Sequence, residues 1–482
     1  MQGCDTLGCD TLGCDTLGCD KMKSVFSLSL VMTTNKEKYG EVFTPRVLVN
    51  MMIDDALTLM GDSFFAEKNK VFEIGAGKGI FYRVLVKERN MWGCEGSGDW
   101  EYDLNEINEE HRGDLEELVG SCRDKHKVMM GDFFDVVQEK EGGFDFVWGN
   151  LPFHNGGCGG GGGGGGVGSE RGKTVWPKMV HGAFDYLLNV GGYFFCIIPC
   201  IWLKEDRAGI YDLFVRKHEL CFLKVFDCVE ANAMFGYNCQ TPICYVMVRK
   251  KGVGENSKSK SKSKSKSISF HLYDNGTYIP FTLQVGNCIP TKHGALFQEA
   301  WERVKDKHEH KQTCFDIVTK VCCMKKGVLE QAVVQFHKRN VDDVGLLTDY
   351  ACENAQMYKV ITGSSVDSGG GASGGERLIL HGVVSTVQGA YQGVPKLILP
   401  HKRLPRFFKD YNGDYGCYGR DMYVFLFESG GSGGSEENDG SEVRDKIDAL
   451  EKHLSSHSVA KMIESGFKIR MNFIEKHVFQ YI

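Results

Sequence analysis

The chain has 482 residues, 42% of them hydrophobic, and a formal net charge of −6. That length allows about two to four domains with real cores. The acidic balance argues against a protein that coats nucleic acid over its whole surface and leaves room only for a local basic patch.

Four of the 19 cysteines (Cys4, Cys9, Cys14 and Cys19) sit in an N-terminal GCDTL repeat. The others show no CxxC pairing or metal-ligand spacing, which points to buried thiols in a reduced compartment rather than to zinc or disulfides. The longest apolar run, Tyr193 to Leu203, falls short of the roughly 20 residues a bilayer span needs. No signal pattern precedes it. An intracellular location, cytoplasmic or nuclear, is expected, neither secreted nor in a membrane.

Residues 1–34 form a leader whose repeat is too short and polar to bury a core, and disorder is expected there. From 35 to 251, strand and helix signals alternate. Strands are expected at Lys70 to Ile74, Asn90 to Glu95, Val128 to Met130, Phe144 to Trp148, Tyr193 to Ile198, Leu220 to Asp227 and Pro242 to Val248. Helices are expected at Ile80 to Arg89 and Val175 to Leu188, the latter stopped by Gly191-Gly192. This alternation predicts an α/β fold, a Rossmann-like domain with a mostly parallel sheet covered on both faces.

Gly156 to Gly168, the Ser-Lys alternation ending a linker over 252–267, Ser368 to Gly375 and Ser429 to Ser441 have compositions that bury nothing to offset chain entropy. The Ser-Lys run suits a solvated spacer or contact with phosphates. Residues 268–482 mix strand signals (Ile268 to Leu272, Arg377 to Val383, Lys396 to Leu399, Met422 to Phe427) with a helix near Ala295 to Lys305. A helical tail spans Asp445 to Tyr481. A second, mixed α+β domain is expected.

Glu73-Ile74-Gly75-Ala76-Gly77-Lys78-Gly79 follows a strand and opens a helix. Gly75 and Gly77 let the backbone turn sharply against a ligand. The pattern is neither GxGxxG nor a P-loop, since Ile80 follows Gly77-Lys78-Gly79 where Ser or Thr would be needed. Glu73 at the strand end disfavours phosphate and favours a cationic ligand, such as the amino group of a methionine moiety. Glu95 can accept both ribose hydroxyls or serve as a solvated turn acid. Asp132 can accept from an adenine amine, with Phe133 covering the ring.

Asn150-Leu151-Pro152-Phe153 carries the chemistry. An aromatic amine is a poor nucleophile because its lone pair is delocalised into the ring. Acceptors placed on its hydrogens, here the Asn150 side-chain oxygen and the Leu151 carbonyl, free that pair. Pro152 stiffens the turn, and Phe153 offers a face to a base swung out of a duplex. A sulfonium methyl is already activated, so no strong base is needed.

In this order, the segments resemble the N6-adenine DNA methyltransferases of type II and IIG restriction-modification systems and their viral relatives. In that family, cofactor motifs precede the catalytic motif and a target-recognition domain lies C-terminal. Tyr39 to Pro45 is similar to the family's N-terminal cofactor motif, here with Phe43, Thr44 and Pro45. Asp145 to Asn150 matches the strand that delivers Asn-Pro-Pro-Tyr/Phe. The likeness runs from about Lys36 to Arg249 and continues through Val394 to Pro400, Phe407 to Gly419 and the final helix.

The resemblance implies S-adenosyl-L-methionine as cofactor, double-stranded DNA as partner and a flipped adenine as target. A separate restriction endonuclease is consistent with it, and a monomer is expected. Lys402, Arg403, Arg406 and Lys409, interleaved with Phe407, Phe408 and Tyr411, suit phosphate contact and base stacking; a plain surface loop is the alternative. Leu151 departs from the family's Pro and matches ribosomal-RNA adenine dimethyltransferases. An RNA adenine methyltransferase and a catalytically decayed DNA-binding specificity protein are therefore the competing readings.

Overall fold

The computed structural model describes residues 41–65, 70–90, 100–122, 125–138, 142–153, 174–236, 241–252, 267–309, 317–318, 334–338, 358–367, 377–385, 388–400, 407–417, 422–427, 439–467, 478–479 and 481. The expected leader, the Gly tract 156–168, nearly all of the Ser-Lys linker and Ser368 to Gly375 lie outside them. The chain divides into two compact units, Met1–Asn189 and Val190–Ile482; the sequence places its own break at the linker.

The first unit opens with α1 (Arg46–Met60). Its buried residues Leu48, Val49, Met52, Ile53 and Ala56 form the apolar stripe of an amphipathic helix. Pro45 sits at its N-cap, and the Pro45 carbonyl accepts from the Leu48 and Val49 N–H groups. Strand β1 (Lys70–Ile74) leads through the glycine turn into α2 (Ile80–Tyr82), which widens into a π turn over Arg83–Glu88. Next come β2 (Glu101–Glu106), α3 (Arg112–Val119), β3 (His126–Met130), α4 (Phe133–Gln138) and β4 (Phe144–Asn150). A last helix, α5 (Trp176–Gly182), continues as a π turn to Leu187.

Within this unit the strand order is β3-β2-β1-β4, and every pairing is parallel. The chain steps outward from β1 to β3, then returns to the other side of β1. The crevice outside the carboxyl ends of β1 and β4 is thus a topological switch point, where open α/β sheets bind ligands.

Two glycines make this crevice possible. Gly149 (φ 143) faces Ile74 across the β1–β4 pair, and a Cβ there would collide with the Ile74 carbonyl. Gly79 (φ 71) lies under Leu115 and Leu118 of α3, with no space for a side chain.

The second unit holds β5 (Leu188–Pro199, begun at the unit boundary), β6 (Glu219–Phe226), α6 (Cys228–Phe235), β7 (Ile243–Arg249), β8 (Ser267–Asp274) and β9 (Thr277–Gln284). Their order is β5-β7-β6-β8-β9, with β7 antiparallel to both neighbours. Gly191-Gly192 lies inside β5, where backbone bonds to Lys250 hold it. β8, where the sequence expects the second domain to open, pairs in parallel with β6.

After α7 (Gly294–Glu309) come two four-stranded sheets, the first wholly antiparallel and the second with one parallel pairing. One is ordered β10-β17-β14-β15 and the other β11-β13-β12-β16. In the first, β10 is Ile317–Val318, β14 Lys396–Pro400, β15 Phe408–Asp410 and β17 Met422–Leu426. In the second, β11 is Val334–Lys338, β12 Tyr358–Asp367, β13 Arg377–Ser385 and β16 Tyr415–Cys417. Ile361, Ile398, Phe408, Tyr415, Cys417, Met422 and Val424 form a shared core. Helices α8 (Asp439–Leu454) and α9 (His457–Ser465) follow.

The fold is the Rossmann-like α/β class that the sequence predicts, with a mostly parallel sheet and additional C-terminal strands. The expected strand Asn90 to Glu95 lies almost wholly outside the described residues, among which β2 (Glu101–Glu106) is the strand that follows β1. Among the described residues no helix is long and apolar enough to cross a membrane.

Candidate active site

The glycine turn and the Asn150 turn leave the carboxyl ends of β1 and β4 side by side. Gly75 (φ 64) and Gly77 (φ 55) take left-handed backbone conformations. A Cβ built on Gly75 would stand 3.6 Å from the Asn150 carbonyl oxygen and 3.8 Å from Pro152 Cδ. A Cβ on Gly77 would stand 3.8 Å from the Phe43 ring. Segments far apart in sequence therefore meet at one cradle, whose left-handed backbone positions favour glycine.

Asn150 ends β4, and its Nδ2 donates to the Val42 carbonyl at 3.3 Å. That bond fixes the amide, so Oδ1 is the atom left to accept from a substrate. Leu151 is buried, whereas Pro152 and Phe153 are half-buried. The Phe153 carbonyl accepts from the Val175 N–H at 3.3 Å.

The acid of the second strand is Glu106. It is 7% exposed, and each of its oxygens meets a backbone donor: Gly77 N–H on Oε2 at 2.7 Å and Asn108 N–H on Oε1 at 2.8 Å. A carboxylate offers about four lone-pair sites, so both oxygens retain capacity for a further donor. Burial raises the Glu106 pKa; the two N–H groups and His111 oppose the rise, and Glu41 adds to it. Glu95, expected in this place, lies outside the described residues.

The segment from Glu41 to Pro45 covers one side of the cradle. Glu41 pairs with His111 Nε2. Phe43 is 37% exposed, meets the His111 ring edge-on at 5.9 Å and carries the Lys78 ammonium over its ring at 5.5 Å. Thr44 is buried beside it.

Glu73 is placed elsewhere. It is completely buried in the sheet, where Tyr102 OH donates to its Oε2 at 2.5 Å and Trp148 Nε1 donates to Tyr102 OH at 2.7 Å. Burial is the largest influence and pushes its pKa up to about 8; the Tyr102 bond and a backbone contact from Tyr82 oppose the shift. Glu73 thus lies within the sheet, bonded through Oε2 to Tyr102, while its Oε1 is buried without a hydrogen-bond partner among the described residues.

Its raised pKa has a consequence for folding. Between about pH 4.5 and 8 the folded chain keeps a proton that the unfolded chain releases. Stability is therefore highest below this window and falls as pH rises through it. Glu73→Gln, neutral throughout, is expected to flatten the slope. Thermal melts of both proteins across the window test this, and parallel curves would refute it.

Asp132 is exposed and caps α4, its Oδ1 accepting from the Phe134 N–H at 2.9 Å. Phe133 turns the other way. It is 2% exposed and packs edge-on against Phe72 at 6.4 Å, where a Cβ on Gly182 would come within 2.9 Å of its ring. It is a core residue of the helix face and does not cover a ligand.

In the second unit, Lys409 meets Asp448 at 3.1 Å and Glu451 at 2.9 Å on α8, and these partners push its pKa up. Tyr411 OH donates to Asp448 at 2.6 Å, and Phe407 is 7% exposed. Phe407 thus packs within this unit, and Lys409, its side chain 33% exposed, is held beside two carboxylates of α8. Lys402, Arg403 and Arg406 lie outside the described residues. Nearby, Lys396 and Asp410 form a fully buried pair at 2.7 Å. The Tyr391 and Val394 carbonyls satisfy the ammonium, and the Asp414 and Tyr415 N–H groups satisfy the carboxylate.

Sequence reasoning missed Glu106, Asn108 and His111. Asn108 was findable as a helix-start residue, since its side chain accepts from the Glu110 N–H at 3.2 Å. A strand ending in an acid just before it follows from that boundary.

No protein-family profile matches the sequence, and no curated protein matches it. Among solved structures the chain is similar to a type I restriction-modification methyltransferase subunit from Streptococcus thermophilus, at 14% identity over 48% of this chain and 46% of that one, with TM-score 0.33. It is also similar to the M protein of type I restriction enzyme EcoKI, at 15% identity over 52% and 51%, with TM-score 0.31. A third likeness is to a proposed RNA methyltransferase from Pyrococcus horikoshii, at 17% identity over 46% and 98%, with TM-score 0.29. The matches span about half the length of the two restriction-modification subunits.

Proposed function

We propose that the chain is an S-adenosylmethionine-dependent methyltransferase acting on the N6 amine of adenine in double-stranded DNA. The observation that carries this reading is the placement of the Asn150 turn against Gly75, with the Asn150 amide oriented by Val42. S-adenosylmethionine supplies a methyl group already activated by its sulfonium.

The residues present fit this cofactor. Gly75 and Gly77 form a cradle that any side chain would narrow, and Glu106 keeps lone pairs for ribose hydroxyls. Asp132 is exposed at the end of β3, where it can accept from an adenine amine.

On the substrate side, Asn150 Oδ1 and the Leu151 carbonyl accept the two hydrogens of the adenine amine. This would return its lone pair from the ring to nitrogen, poised for the methyl group that bound S-adenosylmethionine would supply, and the extra amine proton would leave to solvent. Phe153, half-buried at the turn, offers a stacking face.

The Phe43-Thr44-Pro45 segment ahead of the sheet and the large mixed C-terminal portion favour DNA over RNA. With Lys409 paired internally, DNA contact is assigned to Lys402, Arg403 and Arg406.

Transfer from labelled cofactor to duplex DNA, ribosomal RNA and protein, followed by nucleoside analysis, tests the reading. N6-methyladenine in DNA is expected. Label confined to RNA would replace DNA by RNA as substrate, and absence of cofactor binding would leave the decayed-protein reading.

A further inference from the structure

We infer that Glu41 and His111 are positioning residues, whose side-chain contact fastens the 41–45 segment so that its Val42 carbonyl holds the Asn150 amide in the accepting orientation. This rests on the methyltransferase reading above and concerns the alignment of its catalytic turn.

The pair is well shielded, with side chains 12% exposed for Glu41 and 6% for His111, so solvent and salt screen it little. The His111 backbone is itself steadied by Asn108, whose carbonyl accepts from the His111 N–H at 3.0 Å, and the Asn108 N–H binds Glu106. One end of the segment is thus tied to the loop that presents the Glu106 carboxylate. The other end is fixed where Pro45 starts α1. Between them, Val42 meets Asn150 and Phe43 lies across Gly77.

The segment therefore spans from the cofactor side of the crevice to the catalytic amide. Release of Glu41 frees the chain next to Val42 and lets the Asn150 amide rotate. Neither β1 nor β4 draws a backbone bond from this segment, so the sheet does not depend on it.

The test uses the full chain with Glu41→Ala, His111→Ala, the double variant and Glu41→Gln. Cofactor affinity, melting temperature and the methyl-transfer rate at saturating cofactor are measured for each. Each alanine variant is expected to lose about 10- to 100-fold in rate at saturating cofactor, the scale set by small misplacements of reacting groups. The double variant is expected to lose no more than either single one, because one contact is removed in each. Glu41→Gln, which retains an acceptor for His111, is expected to recover most of the rate.

A purely structural role would lower the melting temperature and leave the rate of the remaining folded protein unchanged. That result, wild-type rates in the single variants, or additive losses would overturn the inference while leaving the methyltransferase reading intact. A wild-type protein that binds no S-adenosylmethionine would overturn both.

Discussion

Replacing Asn150 by alanine is expected to lower methyl transfer by about 10²–10³-fold, while cofactor affinity stays near that of the wild type. The asymmetry follows from position. Asn150 terminates β4, and its side chain contacts the 41–45 segment through Val42; in the proposed mechanism its remaining acceptor would serve the amine rather than the cofactor. Asn150→Asp is the sharper probe. It keeps an acceptor for the amine but turns a second acceptor toward the Val42 carbonyl, so its rate should lie between wild type and alanine. Single-turnover rates with bound cofactor separate the effects, and an alanine variant of undiminished rate would remove Asn150 from the mechanism.

Glu106→Ala should act on the other half of the site. It removes both acceptors used by Gly77 and Asn108 and any hydrogen bonds to a ribose. Hydrogen bonds to a charged group are worth roughly 1.5–3 kcal/mol each, so S-adenosylmethionine affinity should fall by about 10²-fold or more. Glu106→Gln should also weaken binding, because its NH₂ must face one of the two backbone donors. Calorimetric titration measures both, and affinity unchanged in the alanine variant would mean that the cofactor lies elsewhere.

What the sequence could reveal was set by how local each feature is. The glycine turn and Asn150-Leu151-Pro152-Phe153 depend on backbone conformations and short side chains read directly from neighbouring positions. Their strands, β1 and β4, are apolar runs with helices after them. Strand β2 is different: Asp103, Asn105 and Glu106 are all buried in it. Nothing in its composition separates such a strand from an exposed loop, so Glu106 carried no local signal.

Glu73 and Phe133 were correctly located in the chain, but the direction of each side chain is set by packing. One is drawn to Tyr102 and the other to Phe72. Lys409 shows the same limit at longer range, since the carboxylates that neutralise it, Asp448 and Glu451, arrive from a helix later in the chain.

The Phe153–Val175 hydrogen bond has a corollary for chain length. It pins together the two ends of residues 154–173 immediately beside Pro152. The entropy of closing a chain segment grows only with the logarithm of its length, about 0.6 kcal/mol per doubling. Changing the number of glycines between Phe153 and Val175 is therefore expected to cost little stability, because the two ends already meet.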